Sequence, residues 1–173
     1  MFIDISEIRK SPGYSMHFDL TMKTEPIEIG SDEVVFEQLL IISLDVKNSG
    51  RTLIVNGKID GDAILICSRC LEKFSYHLNA TFEEQFCQAS NLAKAAEEGI
   101  SSDELHVFEG SRILIDDIIQ ESVVLGIPMK MTCKDNCKGL CAVCGSNKNR
   151  HNCGCEIESV DLRLEVLKKY FER

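Results

Sequence analysis

The sequence predicts an α+β protein. It should have an antiparallel β-sheet or open barrel body, a few helices, and a small C-terminal Cys-rich module that binds zinc. Three observations carry this reading. Short apolar runs, several alternating at period two, succeed one another between Met16 and Phe86 with turn signals between them, and consecutive strands of this kind pair antiparallel. Helical spacing is confined to a segment near the N-terminus, to residues 113–125 and to the closing residues. The chain also carries nine cysteines, eight of them crowded into two regions.

Taken in order, Asp4 to Lys10 predicts a short helix capped by Asp4, with Ile5 and Ile8 on one face, stopped at Ser11-Pro12-Gly13. Met16 to Met22 alternates as a strand with one buried face. Pro26 to Asp32 reads as a polar connection. Val34 to Val46 reads as one long strand, with the Leu39–Ile42 run buried on both faces. Asn48-Ser49-Gly50 is a turn signal, Thr52 to Val55 resumes a strand, and Gly57 to Asp62 interrupts it. Ala63 to Ile66 is a strand that runs straight into Cys67. Phe74 to Phe86 is another, with Phe74, Tyr76, Leu78, Ala80 and Phe82 on one side. Residues 88–104 have no core pattern and read as a mobile excursion. Ile113 to Leu125 predicts a helix, with Leu114, Ile118 and Val124 or Leu125 at helical spacing. Asp116 and Asp117 lie near its start, and Gly126 and Pro128 end it. Ser159-Val160-Asp161 opens a last helix whose stripe is Leu162, Val166 and Tyr170. The division expected is an acidic β-rich body over 1–127 and a basic Cys-rich module with its closing helix over 128–173.

Composition narrows the function classes. With 44% hydrophobic residues and 27% charged, the chain can bury an ordinary core, so wholesale disorder is excluded. Its N-terminus has acids where a secretory signal needs bases, and no apolar run approaches a membrane span, so a cytoplasmic protein with no membrane partner is expected. The absence of Trp and the presence of only three Tyr argue against a base-stacking surface. A net charge of -9 argues against a generic nucleic-acid binder, but the charge is uneven. Residues 1–125 carry 10 basic and 22 acidic side chains, whereas residues 126–173 carry 9 basic and 6 acidic. Lys130, Lys134, Lys138, Lys148 and Arg150 face only Asp135 in their stretch, which makes them the candidate RNA- or partner-binding residues.

The cysteines carry the chemistry. In a reducing compartment, Cys-x-x-Cys pairs more often hold metal than form bridges. Zinc takes four ligands in a tetrahedron, and thiolates serve well. Cys141-Ala-Val-Cys144-Gly145 and Cys153-Gly-Cys155 make one self-contained set of four. Cys67 and Cys70 with Cys133 and Cys137 make a second, tying the sheet to the basic segment. Spacing does not fix the pairing: Cys133 and Cys137 with Cys141 and Cys144 is the swapped alternative. A redox role is disfavoured because Cys67 ends a strand instead of opening a helix. His151, inside the cysteine loop, is the one candidate for a catalytic zinc ligand, against its reading as a solvated loop residue. Cys87 reads as a buried apolar filler, and His17, His77 and His106 as structural or exposed residues. No phosphate-cradling loop, Ser-His-Asp context or paired-carboxylate motif is visible, so no catalytic residue is assigned.

The sequence also resembles a known family. The residues that carry the resemblance are Ile3-Asp4-Ile5-Ser6 through Ser11-Pro12-Gly13, Cys67-Ser68-Arg69-Cys70-Leu71, Ile127-Pro128-Met129-Lys130, Cys137 through Gly145, Cys153-Gly154-Cys155, and Asp161 through Lys169. In this order they resemble the YceD family, the large ribosomal RNA subunit accumulation proteins. The resemblance implies a non-enzymatic bacterial or organellar factor for accumulation, processing or assembly of large-subunit ribosomal RNA. Its partner would be the RNA precursor or a large-subunit ribosomal protein. The competing expectations are a zinc-ribbon adaptor of another complex and, third, a Cys-based redox or metal-dependent enzyme.

Overall fold

The computed structural model describes residues 1–30, 32–92 and 105–155. The closing helix expected over 159–173 and most of the expected 88–104 excursion lie outside these. The described strands are β1 (Phe2–Asp4), β2 (Ser15–Met22), β3 (Ile27–Ile29), β4 (Asp32–Phe36), β5 (Leu40–Asn48), β6 (Thr52–Ile66), β7 (Lys73–Gln88), β8 (Leu105–Phe108) and β9 (Arg112–Leu114). One α-helix among the described residues, α1 (Asp116–Gly126), follows β9.

Among the described residues, the main sheet has seven strands. Antiparallel ladders run β2-β5-β6-β7, and β8 joins β7 in parallel. β4 pairs with the far end of β6, and β3 pairs with β4. The body is thus mostly antiparallel sheet, and its ladder path does not close on itself among the described residues. A separate two-stranded sheet joins β1 to β9, with Ile3 opposite Ile113. Among the described residues, no helix is long and apolar enough to cross a membrane.

Alternation explains the core. β2 turns Met16, Phe18, Leu20 and Met22 inward and leaves His17, Asp19 and Thr21 exposed. β6 and β7 bury Leu53, Val55, Ile59, Leu65, Leu78 and Ala80 in the same core cluster as Ile118, Ile119 and Val123 of α1, which packs on β7. At ~25 cal/mol per Å² of apolar surface removed from water, this shared core is the main stabilising term. Buried Asn48 fixes the β5–β6 turn to the N-terminal segment. Its amide donates to Ile8 O at 2.8 Å, and its side-chain oxygen accepts from Gly50 N at 2.7 Å.

The structure corrects several sequence expectations. Residues 4–10 are not one helix: β1 ends at Asp4, whose carboxylate takes Ser6 N at 2.8 Å, and only Ile8–Lys10 forms a single 3-10 turn. Asp4 thus makes a local turn bond that competes with helix. The polar connection contains β3. The long strand over 34–46 is two strands, and Leu39 and Ile41 are exposed beside buried Leu40 and Ile42, so that run is buried on one face only.

β6 is not interrupted at 57–62; it runs unbroken for 15 residues. The ring of Phe82, directly opposite, lies where a Cβ of Gly57 would stand, 2.2 Å from that position at Cε1, so the aromatic covers the glycine and fills its place. Leu40 does the same at Gly61, 2.4 Å from the corresponding position. Residues 113–125 are also two elements. Leu114 lies on β9 and is exposed, as are Val124 and Leu125, and the buried stripe of α1 is Ile118, Ile119, Ser122 and Val123. Asp116 and Asp117 do occupy its first turn, where the helix dipole favours them.

Candidate metal centres

The odd-numbered face of β6 is buried at Leu53, Val55, Ile59, Ala63 and Leu65, and the same alternation carries on to place Cys67 inside. The chain then reverses through Ser68, Arg69 and Cys70 into β7. Leu71 N donates to Cys67 O at 2.8 Å, and Leu71 itself stands at φ 58°. Cys141 to Gly145 repeats this turn: Gly145 N donates to Cys141 O at 2.9 Å, with Gly145 at φ 72°. The left-handed residue after the second cysteine curls the backbone so that both sulfurs of a pair point to one side, and glycine adopts it without steric cost. The second pair has that glycine; the first uses Leu71.

The segment after α1 wraps the β6–β7 tip. Ser68 donates to Met131 O from both N, at 2.8 Å, and Oγ, at 2.9 Å. Arg69 Nη1 donates to Cys137 O at 3.1 Å, and Leu140 N donates to Arg69 O at 3.1 Å. Gly139 passes so close that an added Cβ would lie 3.0 Å from Arg69 O. These contacts bring Cys133 and Cys137 to Cys67 and Cys70, some 63 residues away in the chain.

Two sets of four cysteines result: Cys67, Cys70, Cys133 and Cys137, and Cys141, Cys144, Cys153 and Cys155. Within each set the sulfurs lie within 4.8 Å of one another. The swapped pairing is not the arrangement found. Cys67 Sγ and Cys137 Sγ are 3.8 Å apart, and Cys70 Sγ and Cys133 Sγ 3.7 Å. A tetrahedral ion with arms of ~2.3 Å to sulfur requires edges of ~3.8 Å. The donor set and these distances therefore fit zinc. Four thiolates fill the tetrahedron and leave no open position, which is the pattern of a structural site and not of a catalytic one. The first set is largely buried; the second has Cys144 exposed and Cys153 and Cys155 half-buried.

The thiols of each set influence one another strongly. Burial works against the Cys67 thiolate, but backbone N–H groups of Cys133, Cys70 and Arg69 outweigh it and bring the group down to about 6. Cys133 is pushed up to about 12, by burial first and then by the neighbouring cysteines. In the second set, the backbone N–H of Cys155 leads in bringing Cys153 down to about 6, while Cys144 and Cys153 drive Cys155 up to about 12. Without a cation, four thiolates repel too strongly to ionise together, so each set splits into low and high members; a dication removes that obstacle.

Asn149 is a residue that sequence reasoning missed. It lies in the loop between Cys144 and Cys153, yet its Nδ2 donates to Cys137 Sγ of the other set at 3.2 Å, and its Oδ1 accepts from Lys138 N at 3.0 Å. Burial opposes ionisation of Cys137, but the Asn149 amide and the Gly139 N–H prevail and hold that thiol below its usual range. An Asn in a polar loop carries no spacing signal, so only the fold reveals it. Lys130, Lys134 and Lys138 are exposed, and Lys148 is half-buried. Arg150 is exposed but committed to the body, with Nε 2.8 Å from Glu72 Oε1. His151 is exposed and belongs to neither set of four. Cys87 is fully buried and its thiol is raised by burial alone.

Residues 55–170 match the family described as "Large ribosomal RNA subunit accumulation protein YceD". The span begins inside β6 and includes all eight clustered cysteines. The chain is 25% identical over 147 residues to uncharacterized proteins of Mycobacterium bovis and Mycobacterium tuberculosis, covering 84% of its own length and 69% of theirs. An uncharacterized protein of Mycobacterium leprae is 28% identical over 146 residues, with 83% of this chain and 65% of that protein covered. No solved structure matches the chain.

Proposed function

The chain belongs to the YceD family, and on that premise we propose that it is a non-enzymatic cytoplasmic factor for the accumulation, processing or assembly of large-subunit ribosomal RNA. The observation that carries the reading is that the family match spans the β6–β7 tip and both cysteine sets. Zinc is the proposed ion at both. Its role is to hold a basic segment rigidly against an acidic body. Lys130, Lys134, Lys138 and Lys148 then meet RNA phosphates. The exposed sheet face, with Asp19, Asp45 and Asp62 outward, meets a basic ribosomal protein. Two all-thiolate sets leave no site for a substrate on the metal, which supports a structural role over turnover. The test is cosedimentation with precursor particles of the large subunit, alongside large-subunit RNA levels in cells lacking the protein. Co-migration with those particles and a selective fall in large-subunit RNA are expected. A protein that stays at the top of the gradient, with both ribosomal RNAs unchanged in its absence, would overturn the reading.

A further inference from the structure

Two residues of the loop between Cys144 and Cys153 reach back to the other cysteine set. Asn149 Nδ2 donates to Cys137 Sγ at 3.2 Å, and Arg150 pairs with Glu72 beside Cys70 at 2.8 Å. The backbone between the sets is also shared: Lys148 N donates to Gly139 O at 2.9 Å, and Leu140 forms an isolated antiparallel bridge with Asn147. The loop that presents these groups is closed at both ends by its own cysteines, Cys144 and Cys153. Metal at the outer set (Cys141, Cys144, Cys153, Cys155) therefore orders the loop that presents a hydrogen-bond donor to a sulfur of the inner set (Cys67, Cys70, Cys133, Cys137).

We propose that the two cysteine sets fill with metal cooperatively, and that Asn149 is the positioning residue through which the outer centre tightens the inner one. This rests on the reading of both sets as metal centres. The amide does two things at once. It neutralises part of the charge on Cys137 Sγ, and through Oδ1 it fixes the backbone N–H of Lys138 next to that ligand. Outer-shell partners of this kind commonly change metal affinity by about 10- to 100-fold. Linkage makes the effect reciprocal: a filled inner set holds Asn149 and so favours the closed outer loop by the same factor.

The test titrates zinc out of the loaded full-length protein with a chromophoric chelator. Release of about two equivalents in one steep step is expected from the unaltered protein. Cys155→Ser should retain about one equivalent, held roughly 10-fold more weakly than the inner ion of the unaltered protein. Asn149→Ala should retain both ions, weaken each by a similar factor, and make their release independent. Asn149→Asp separates the two jobs of the side chain. It keeps the acceptor for Lys138 N but replaces the donor with a negative charge, so it should weaken the inner centre at least as much as Ala. Combining Asn149→Ala with Cys155→Ser should cost no more than Cys155→Ser alone, because both remove the same link. Two equivalents released independently from the unaltered protein, or Asn149 variants with unchanged inner affinity, would overturn the proposal while leaving the metal centres in place. Protein that binds no zinc would overturn both readings together.

Discussion

Leu71 occupies a backbone conformation that its counterpart position gives to glycine, so the usual ranking of alanine over glycine should invert there. Leu71 stands at φ 58° and Gly145 at φ 72°, each directly after the second cysteine of a pair. A side chain with a Cβ costs about 1–2 kcal/mol in the left-handed region. Glycine avoids this but loses about 0.5–1 kcal/mol more conformational freedom on folding. Leu71 is 66% exposed, so about a third of a leucine's burial, or ~0.7 kcal/mol, is lost when the side chain is removed. Leu71→Ala forfeits that burial and keeps the strain, so it should destabilise by about 0.7 kcal/mol. Leu71→Gly forfeits the same burial but relieves the strain, so it should be near neutral and about 0.5–1 kcal/mol more stable than the alanine variant. Gly145→Ala is the mirror. Nothing lies within 4 Å of the added Cβ, so only the backbone term remains, a loss of about 0.5–1 kcal/mol. The assay is urea unfolding at fixed free zinc, with melting temperature as a second measure; about 1 kcal/mol corresponds to ~2–4 °C for a chain of this size. An alanine variant at position 71 as stable as the glycine variant, or more so, would refute the argument that these turns require a left-handed residue.

Cys144→Ser should reduce bound zinc from about two equivalents to about one and expose residues 142–155 to limited proteolysis, while residues 1–85 and the segment that carries Cys133 and Cys137 survive. An unchanged digest would remove the structural role of the outer set. Changing Lys130, Lys138 and Lys148 together to Gln should weaken binding to precursor ribosomal RNA, flatten the log–log salt slope by about 2, and leave zinc content unchanged. An unaltered slope would mean that these lysines offset the thiolate charge and that RNA contact runs through a protein. His17 is raised above 6.5 by its hydrogen bond to Asp45 first and by Asp19 second. Any stability it contributes is therefore complete below that ordinary value and is lost as pH rises through the folded one. An NMR titration should place its midpoint above 6.5 and Asp45→Asn should lower it; equal midpoints in both proteins would dismiss the pairing.

The sequence by itself determined whatever a short window can encode. Met16 to Met22 and Phe74 to Phe86 alternate, so their core faces were legible before any partner strand was known. Asn48-Ser49-Gly50 marked the β5–β6 turn, and Asp116 with Asp117 marked a helix start. Cys141, Cys144, Cys153 and Cys155 lie close enough in the chain for spacing to propose them as one set, although it leaves the swap with Cys133 and Cys137 open. The tertiary structure decided what depends on residues far apart. β1 carries no signal in the sequence because its partner, β9, lies about 110 residues downstream and no local pattern announces the ladder. Gly57 looked like a strand breaker until Phe82 from the neighbouring strand covered it. Cys133 and Cys137 had two possible partner pairs, and only the wrapping of residues 131–140 around the β6–β7 tip chose Cys67 and Cys70. Asn149 was invisible for the same reason. Periodicity and spacing record constraints between near neighbours, whereas a donor aimed at a sulfur of another loop exists only once the chain has closed on itself.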